Sequence, residues 1–143
     1  MRFHSSVPLL IALFVSLIPA AMAQDSRLPK PFDQPAHIIQ MNAADYQFAP
    51  STIHIKVGQN IRLRVTATDK THAIRINPFP NGASVSTPPG LEFAAGEDCW
   101  KLKKNLTQTI EFVAHEPGTY TFSCCKSCGS GHKRMKGQII VEP

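Results

Sequence analysis

Cys124, Cys128, His132 and Met135 follow one another at intervals of four, four and three residues, and a further cysteine stands at 125. Thiolate, imidazole and thioether are soft or borderline donors, so this stretch selects Cu(I), zinc or an iron–sulfur cluster over calcium or magnesium. Zinc needs a closed set of four, of which Cys124, Cys128 and His132 give three, and the thioether of Met135 is a poor zinc ligand. Covalent haem attachment needs Cys-x-x-Cys-His. Cys125 and Cys128 have the spacing, but Gly129 follows where histidine is required. A thioredoxin-like redox pair would stand where a strand enters a helix, whereas this loop leads through Gly137 into the strand-like "QIIV". Copper remains. A mononuclear blue site takes one cysteine, two histidines and a weak axial methionine. Two thiolates four residues apart can instead bridge a copper pair. The pair shares the charge of an arriving electron, so bond lengths change little and transfer is fast.

The string Cys124-x-x-x-Cys128-Gly129-x-x-His132-x-x-Met135 resembles the binuclear copper-A motif of cytochrome c oxidase subunit II, which also occurs in the copper-A domain of nitrous oxide reductase. The resemblance covers roughly residues 61–141 and implies a cupredoxin-like Greek-key β-sandwich. It implies that Cys124 and Cys128 bridge two coppers. His72 of "THAIRI" and Met135 would complete one ion, His132 and the backbone carbonyl of Lys126 the other. The position of Lys126 is commonly acidic in that family, so a nearby cation is expected to raise the reduction potential and change docking. The family's membrane helices, its aromatic stretch before the first histidine and the reductase's catalytic propeller have no counterpart here. The implied protein is therefore an electron carrier, or the electron-accepting piece of a larger oxidase or reductase. It is not an enzyme on its own, since no general acid, open coordination position or substrate pocket can be named. Its expected partner is a redox protein such as a c-type cytochrome or a terminal oxidase or reductase. Two rivals share the fold: a chaperone that passes Cu(I), and a mononuclear blue-copper carrier.

Cys99 and Cys125 fit no ligand slot. A disulfide between them, two free thiols and an intermolecular bridge are equally open. Trp100 reads as packing or as an electron relay. Lys126, Lys133, Arg134 and Lys136 crowd the metal loop and read either as a solvated face or as a basic ring that steers an acidic partner. His37, His54 and His115 are expected on the surface without a role, and "NLT" at Asn105 matches a glycosylation acceptor.

The elements that must position these residues have a period near two. "HIIQM", "STIHIKVGQN", "NIRLRVTA", "THAIRIN", "TQTIEFVA", "TYTFSC" and "GQIIVEP" alternate apolar and polar residues between Gly/Pro-rich turns, which predicts an all-β sandwich in one domain. On "THAIRIN" His72 shares the inward face of Ile74 and Ile76, and on "TYTFSC" Tyr120, Phe122 and Cys124 share one face. "PFPNGASVSTPPG" reads as a loop, and "LEFAAGEDCWKLKKN" as a short helix or irregular segment.

Upstream, Arg2 precedes an apolar run from Val7 to Ile18, followed by small residues at Ala21 and Ala23. This is the pattern of a secretory signal peptide cleaved after Ala23, with an uncleaved anchor as the alternative. Residues 1–23 are thus expected to be removed, 24–36 to form a flexible tether with Pro29, Pro31 and Pro35, and 37–143 to form the copper-binding domain. The run is too short to span a bilayer comfortably, so no transmembrane anchor is expected after cleavage, and the destination is the periplasm or the exterior. There disulfides are the default, which keeps a disulfide-stapled, metal-free sandwich among the readings. The formal charge of +5 over 143 residues favours acidic partners. With no arginine-rich helix or aromatic stacking platform, nucleic acid is not expected.

Overall fold

A computed structural model describes residues 31–143 apart from Val85. The signal segment and most of the tether lie outside the described residues. Among those described, no helix is long and apolar enough to cross a membrane.

Ten strands build two five-stranded sheets, as the alternating sequence predicts. The first sheet holds β1 (His37–Ala44), β2 (Gln47–Ala49), β4 (Asn60–Ala67), β6 (Leu91–Phe93) and β8 (Thr107–Ala114), in the order β2-β1-β4-β8-β6. The second holds β3 (Thr52–Lys56), β5 (His72–Ile76), β7 (Trp100–Leu102), β9 (Gly118–Ser123) and β10 (Lys136–Glu142), in the order β3-β10-β9-β5-β7. β1 runs parallel to β4 and β3 parallel to β10, while the remaining pairs are antiparallel. Parallel neighbours need long connections, so the chain crosses between sheets. This is a Greek-key sandwich.

Each strand buries one face. On β4 the side chains of Ile61, Leu63, Val65 and Ala67 are buried while Arg62 and Arg64 face water. β8 gives Ile110, Phe112 and Ala114, β9 gives Tyr120 and Phe122, and β10 gives Ile139 and Val141. Side chains from both sheets interdigitate as aligned sandwiches require. Phe48 meets Phe122 edge-on at 5.4 Å between ring centroids, and Phe93 contacts Trp100 at 5.1 Å and Phe112 at 5.6 Å. The Tyr120 hydroxyl donates to the Glu116 carbonyl at 2.8 Å, pinning the turn that feeds β9.

The segment expected as a short helix or irregular loop, "LEFAAGEDCWKLKKN", contains two strands instead. β6 pairs with the end of β8 and β7 with β5. Leu91, Trp100 and Leu102 are buried, and three-residue strands are too short for alternation to announce them. β2 went unread for the same reason. At the start of the described chain, Pro31–Asp33 form one 3-10 turn, and the Gln34 carbonyl accepts a hydrogen bond from the Asn60 side chain at 2.9 Å.

Candidate metal centre

The loop of residues 124–135 joins β9 to β10. Those strands pair antiparallel, Lys136 opposite Ser123, and the ladder continues one step further: the Cys124 N–H donates to the Met135 carbonyl at 2.9 Å. The neck of the loop is therefore fixed by sheet geometry, with Cys124 and Met135 both buried at it. His132 opens a 3-10 turn, His132–Arg134. β5 pairs with β9 through Arg75 opposite Ser123. His72, three residues before Arg75 on an antiparallel neighbour, is thereby carried alongside the loop.

The structure brings His72, Cys124, Cys128, His132 and the Lys126 carbonyl together. The sulfurs of Cys124 and Cys128 lie 3.6 Å apart as free thiols. A ring nitrogen of His72 and both sulfurs lie within 4.8 Å of one another. His132 Nδ1 is 4.0 Å from the Cys128 sulfur, and the Lys126 carbonyl is 3.1 Å from that of Cys124. His72 and Met135 are fully buried, and His132 is half-buried.

The arrangement fits a bound metal. His72 Nδ1 is buried without a hydrogen-bond partner, which costs about 1–3 kcal/mol unless something occupies that direction. Its other nitrogen, Nε2, is held by Asp69 Oδ1 at 2.7 Å. A carboxylate on the far side of an imidazole is the usual support of a metal-binding histidine, because it fixes the ring and raises its basicity. Asp69 Oδ1 also accepts the Lys70 N–H at 2.7 Å, and Oδ2 accepts the Asp45 N–H at 3.1 Å. Partial burial opposes its ionisation, but the bonds from His72, Asp45 and Lys70 outweigh it and hold the carboxyl down to about 2. Burial pushes the Cys128 thiol up, and Cys124 adds to the effect by hydrogen bonding and charge, while Lys70 opposes it. Metal binding must displace that proton. Asp69 was not anticipated from the sequence; its one sign is an acidic residue three positions before an inward-facing histidine.

The remaining expected residues fall around this centre. Cys99 and Cys125 are joined, with an S–S distance of 2.02 Å, and tie the β6–β7 connection to the metal loop. Lys126, Lys133, Arg134 and Lys136 are exposed, and among the described residues none forms an ion pair. Trp100 is buried against Phe93. His37, His54 and His115 are exposed; His54 lies 3.3 Å from Glu142 and His115 2.8 Å from Glu92. Asn105 is exposed in the turn between β7 and β8.

A family model described as "Cupredoxin-like domain" matches residues 8–141. Cytochrome c oxidase subunit 2 of Thermus thermophilus is 24% identical over 106 residues, 74% of this chain and 66% of that protein. The chain thus spans just under two thirds of that relative's length. A solved heme-copper terminal oxidase dimer contains a chain that superposes with a TM-score of 0.54 at 22% identity, covering 73% of this chain and 64% of that one. Auracyanin A, a "blue" copper protein of Chloroflexus aurantiacus, superposes with a TM-score of 0.57 at 14% identity, covering 76% of this chain and 100% of that one. The two structures share its fold.

Proposed function

Since this chain belongs to the cupredoxin-like domain family, we propose that it is an exported electron-transfer protein holding a binuclear copper centre of the copper-A type. The observation that carries the reading is the pair of free thiols 3.6 Å apart, within 4.8 Å of a ring nitrogen of the buried His72, whose Nδ1 has no hydrogen-bond partner. A mononuclear blue site would use one thiolate and leave the second idle in the core. The relationship to cytochrome c oxidase subunit 2 supports the same function.

Cys124 and Cys128, with His72, Met135, His132 and the Lys126 carbonyl, would together hold the copper pair. When bound, the copper pair would supply a one-electron couple whose charge is shared by both ions. The protein's part is to hold the donors in one arrangement through reduction and oxidation. The β9–β10 neck fixes Cys124 and Met135, Asp69 fixes His72, and the buried side chains around them keep water out. With the two thiolates, His72, His132, Met135 and the Lys126 carbonyl all engaged, no position would be left for a substrate, so the chain would carry electrons and not turn over a substrate alone. The exposed Lys126, Lys133, Arg134 and Lys136 suit an acidic face on a redox partner, such as a c-type cytochrome or the next subunit of a terminal oxidase or reductase. Residues 1–23 are proposed as a cleaved signal peptide, 24–36 as a tether and 37–143 as the domain delivered to the periplasm or exterior.

Loading the reduced chain with copper tests the reading. Two coppers per chain are expected, with electron-spin hyperfine structure spread over two nuclei. One copper with a single blue band would make it a mononuclear carrier; colourless Cu(I) that passes readily to a chelator, a chaperone. No uptake after thiol reduction would overturn the metal site. Cys128→Ser is expected to abolish the two-nucleus spectrum, whereas Met135→Leu is expected to keep both ions and shift the potential.

A further inference from the structure

The turn between β1 and β2 contains two residues only, Asp45 and Tyr46, since Ala44 pairs with Gln47. Both have positive φ, 50° at Asp45 and 60° at Tyr46, as the two-residue hairpin turn of this hand requires. Asparagine and glycine suit those positions, whereas a tyrosine in the left-handed region is strained. Strain kept at one residue points to work done by its side chain.

The ring of Tyr46 lies across the metal loop. A Cβ added to Gly129 or to Gly131 would overlap it. At Gly129, φ of +128° is itself a reason for glycine. At Gly131 the backbone is ordinary, with φ −86° and ψ −1°, so any residue could adopt it. Only the ring overhead explains the missing side chain. Gly129 and Gly131 lie on the path from Cys128 to His132, and Tyr46 and Cys128 both pack against the core. Lys70 latches the ring from outside: its ammonium donates to the Tyr46 hydroxyl at 3.0 Å and sits 4.2 Å from the ring centroid. The neighbouring Asp69 carboxylate anchors the turn itself through the Asp45 N–H at 3.1 Å.

We propose that Tyr46, latched by Lys70, is the lid of the metal loop: a positioning residue that presses residues 129–131 into place and shields Cys128 and His132 from water. Asp69 and Lys70, adjacent in sequence, divide the support. Asp69 holds His72 on one side of the donors, and Lys70 holds the lid on the other. The role rests on the copper reading only in what the loop is held ready to bind.

The test has an arm without metal and an arm with it. In the reduced, metal-free chain, iodoacetamide labelling followed by peptide mass spectrometry gives separate alkylation rates for Cys124 and Cys128. Tyr46→Gly removes the ring and relieves the strained backbone together. It is expected to leave the melting midpoint unchanged or raised while Cys128 is labelled several-fold faster and Cys124 is not. Gly131→Ala, which pushes the ring off from below, is expected to do the same to Cys128. Tyr46→Phe keeps the ring but loses the hydroxyl bond to Lys70, and its Cys128 is expected to label at a rate between those of the natural chain and Tyr46→Gly. In the copper arm, the Tyr46→Gly chain loses metal to excess EDTA several-fold faster than the natural chain, and Tyr46→Phe falls between them. Unchanged Cys128 labelling in Tyr46→Gly overturns the proposal. So does a Tyr46→Gly chain that melts much lower and exposes both thiols alike, since Tyr46 would then be ordinary packing. If the natural chain takes up no copper, the function proposed above fails, and the metal-free arm still decides whether the lid exists.

Discussion

His72 is the residue on which the site turns, and its two nitrogens have opposite fates. Nε2 rests on Asp69, and Nδ1 is buried without a hydrogen-bond partner, while a ring nitrogen lies within 4.8 Å of both sulfurs. Removing the first support strands a second buried nitrogen. Asp69→Leu is therefore expected to destabilise the metal-free chain by about 1–3 kcal/mol, read as a lowered urea midpoint. Asp69→Asn keeps an acceptor and is expected to lose much less. The inward direction of His72 was legible because it shares the face of Ile74 and Ile76. The sulfur and imidazole spacing within 124–135 was legible because the loop is short and its donors are local. Asp69, Lys70 and Tyr46 were not, because each acts across a turn, and turn contacts leave no period in a sequence. Gly131 was the one mark of Tyr46, and a glycine in a metal loop suggests several causes before it suggests a ring from a hairpin some 85 positions away.

At the level of elements, the long strands declared themselves by alternation, since a one-residue slip would turn each buried face to water. The strands that escaped, β2, β6 and β7, have three residues each, and their pairing is decided by neighbours distant in sequence. β10 bears the most directly on the site, because it lies between β3 and β9 and ends the metal loop. Near its start, a Cβ on Gly137 would run into the Ser51 carbonyl and the Phe122 ring. Backbone cannot yield as a flexible side chain can. Gly137→Ala is expected to cost about 1–3 kcal/mol by overpacking, measured by chemical denaturation, and to loosen the Cys124–Met135 neck with it.

For the molecule as a whole, two ties outside the metal set the limits of stability. Cys99 and Cys125 close a loop of sequence separation 26. Chain entropy for a loop of that size is worth about 3.5 kcal/mol, so Cys99→Ser combined with Cys125→Ser is expected to lower stability by roughly that amount in denaturant melts. The second tie is Tyr120, buried in the core with its hydroxyl on Glu116. Burial, reinforced by the Glu116 charge, holds its phenol above the ordinary value of 10.0. The unfolded chain then ionises first as pH rises. Stability from this group is whole below pH 10.0 and declines as pH climbs through the folded value. A pH series of melts should show that alkaline decline in the natural chain and a flatter one in Tyr120→Phe. The overhanging hairpin also bears on protein engineering. Transplanting residues 124–135 alone into a foreign sandwich would deliver the donors but not their roof. The portable module is discontinuous, and a graft should succeed only where the recipient scaffold already offers, or is given, a broad aromatic at the facing bend.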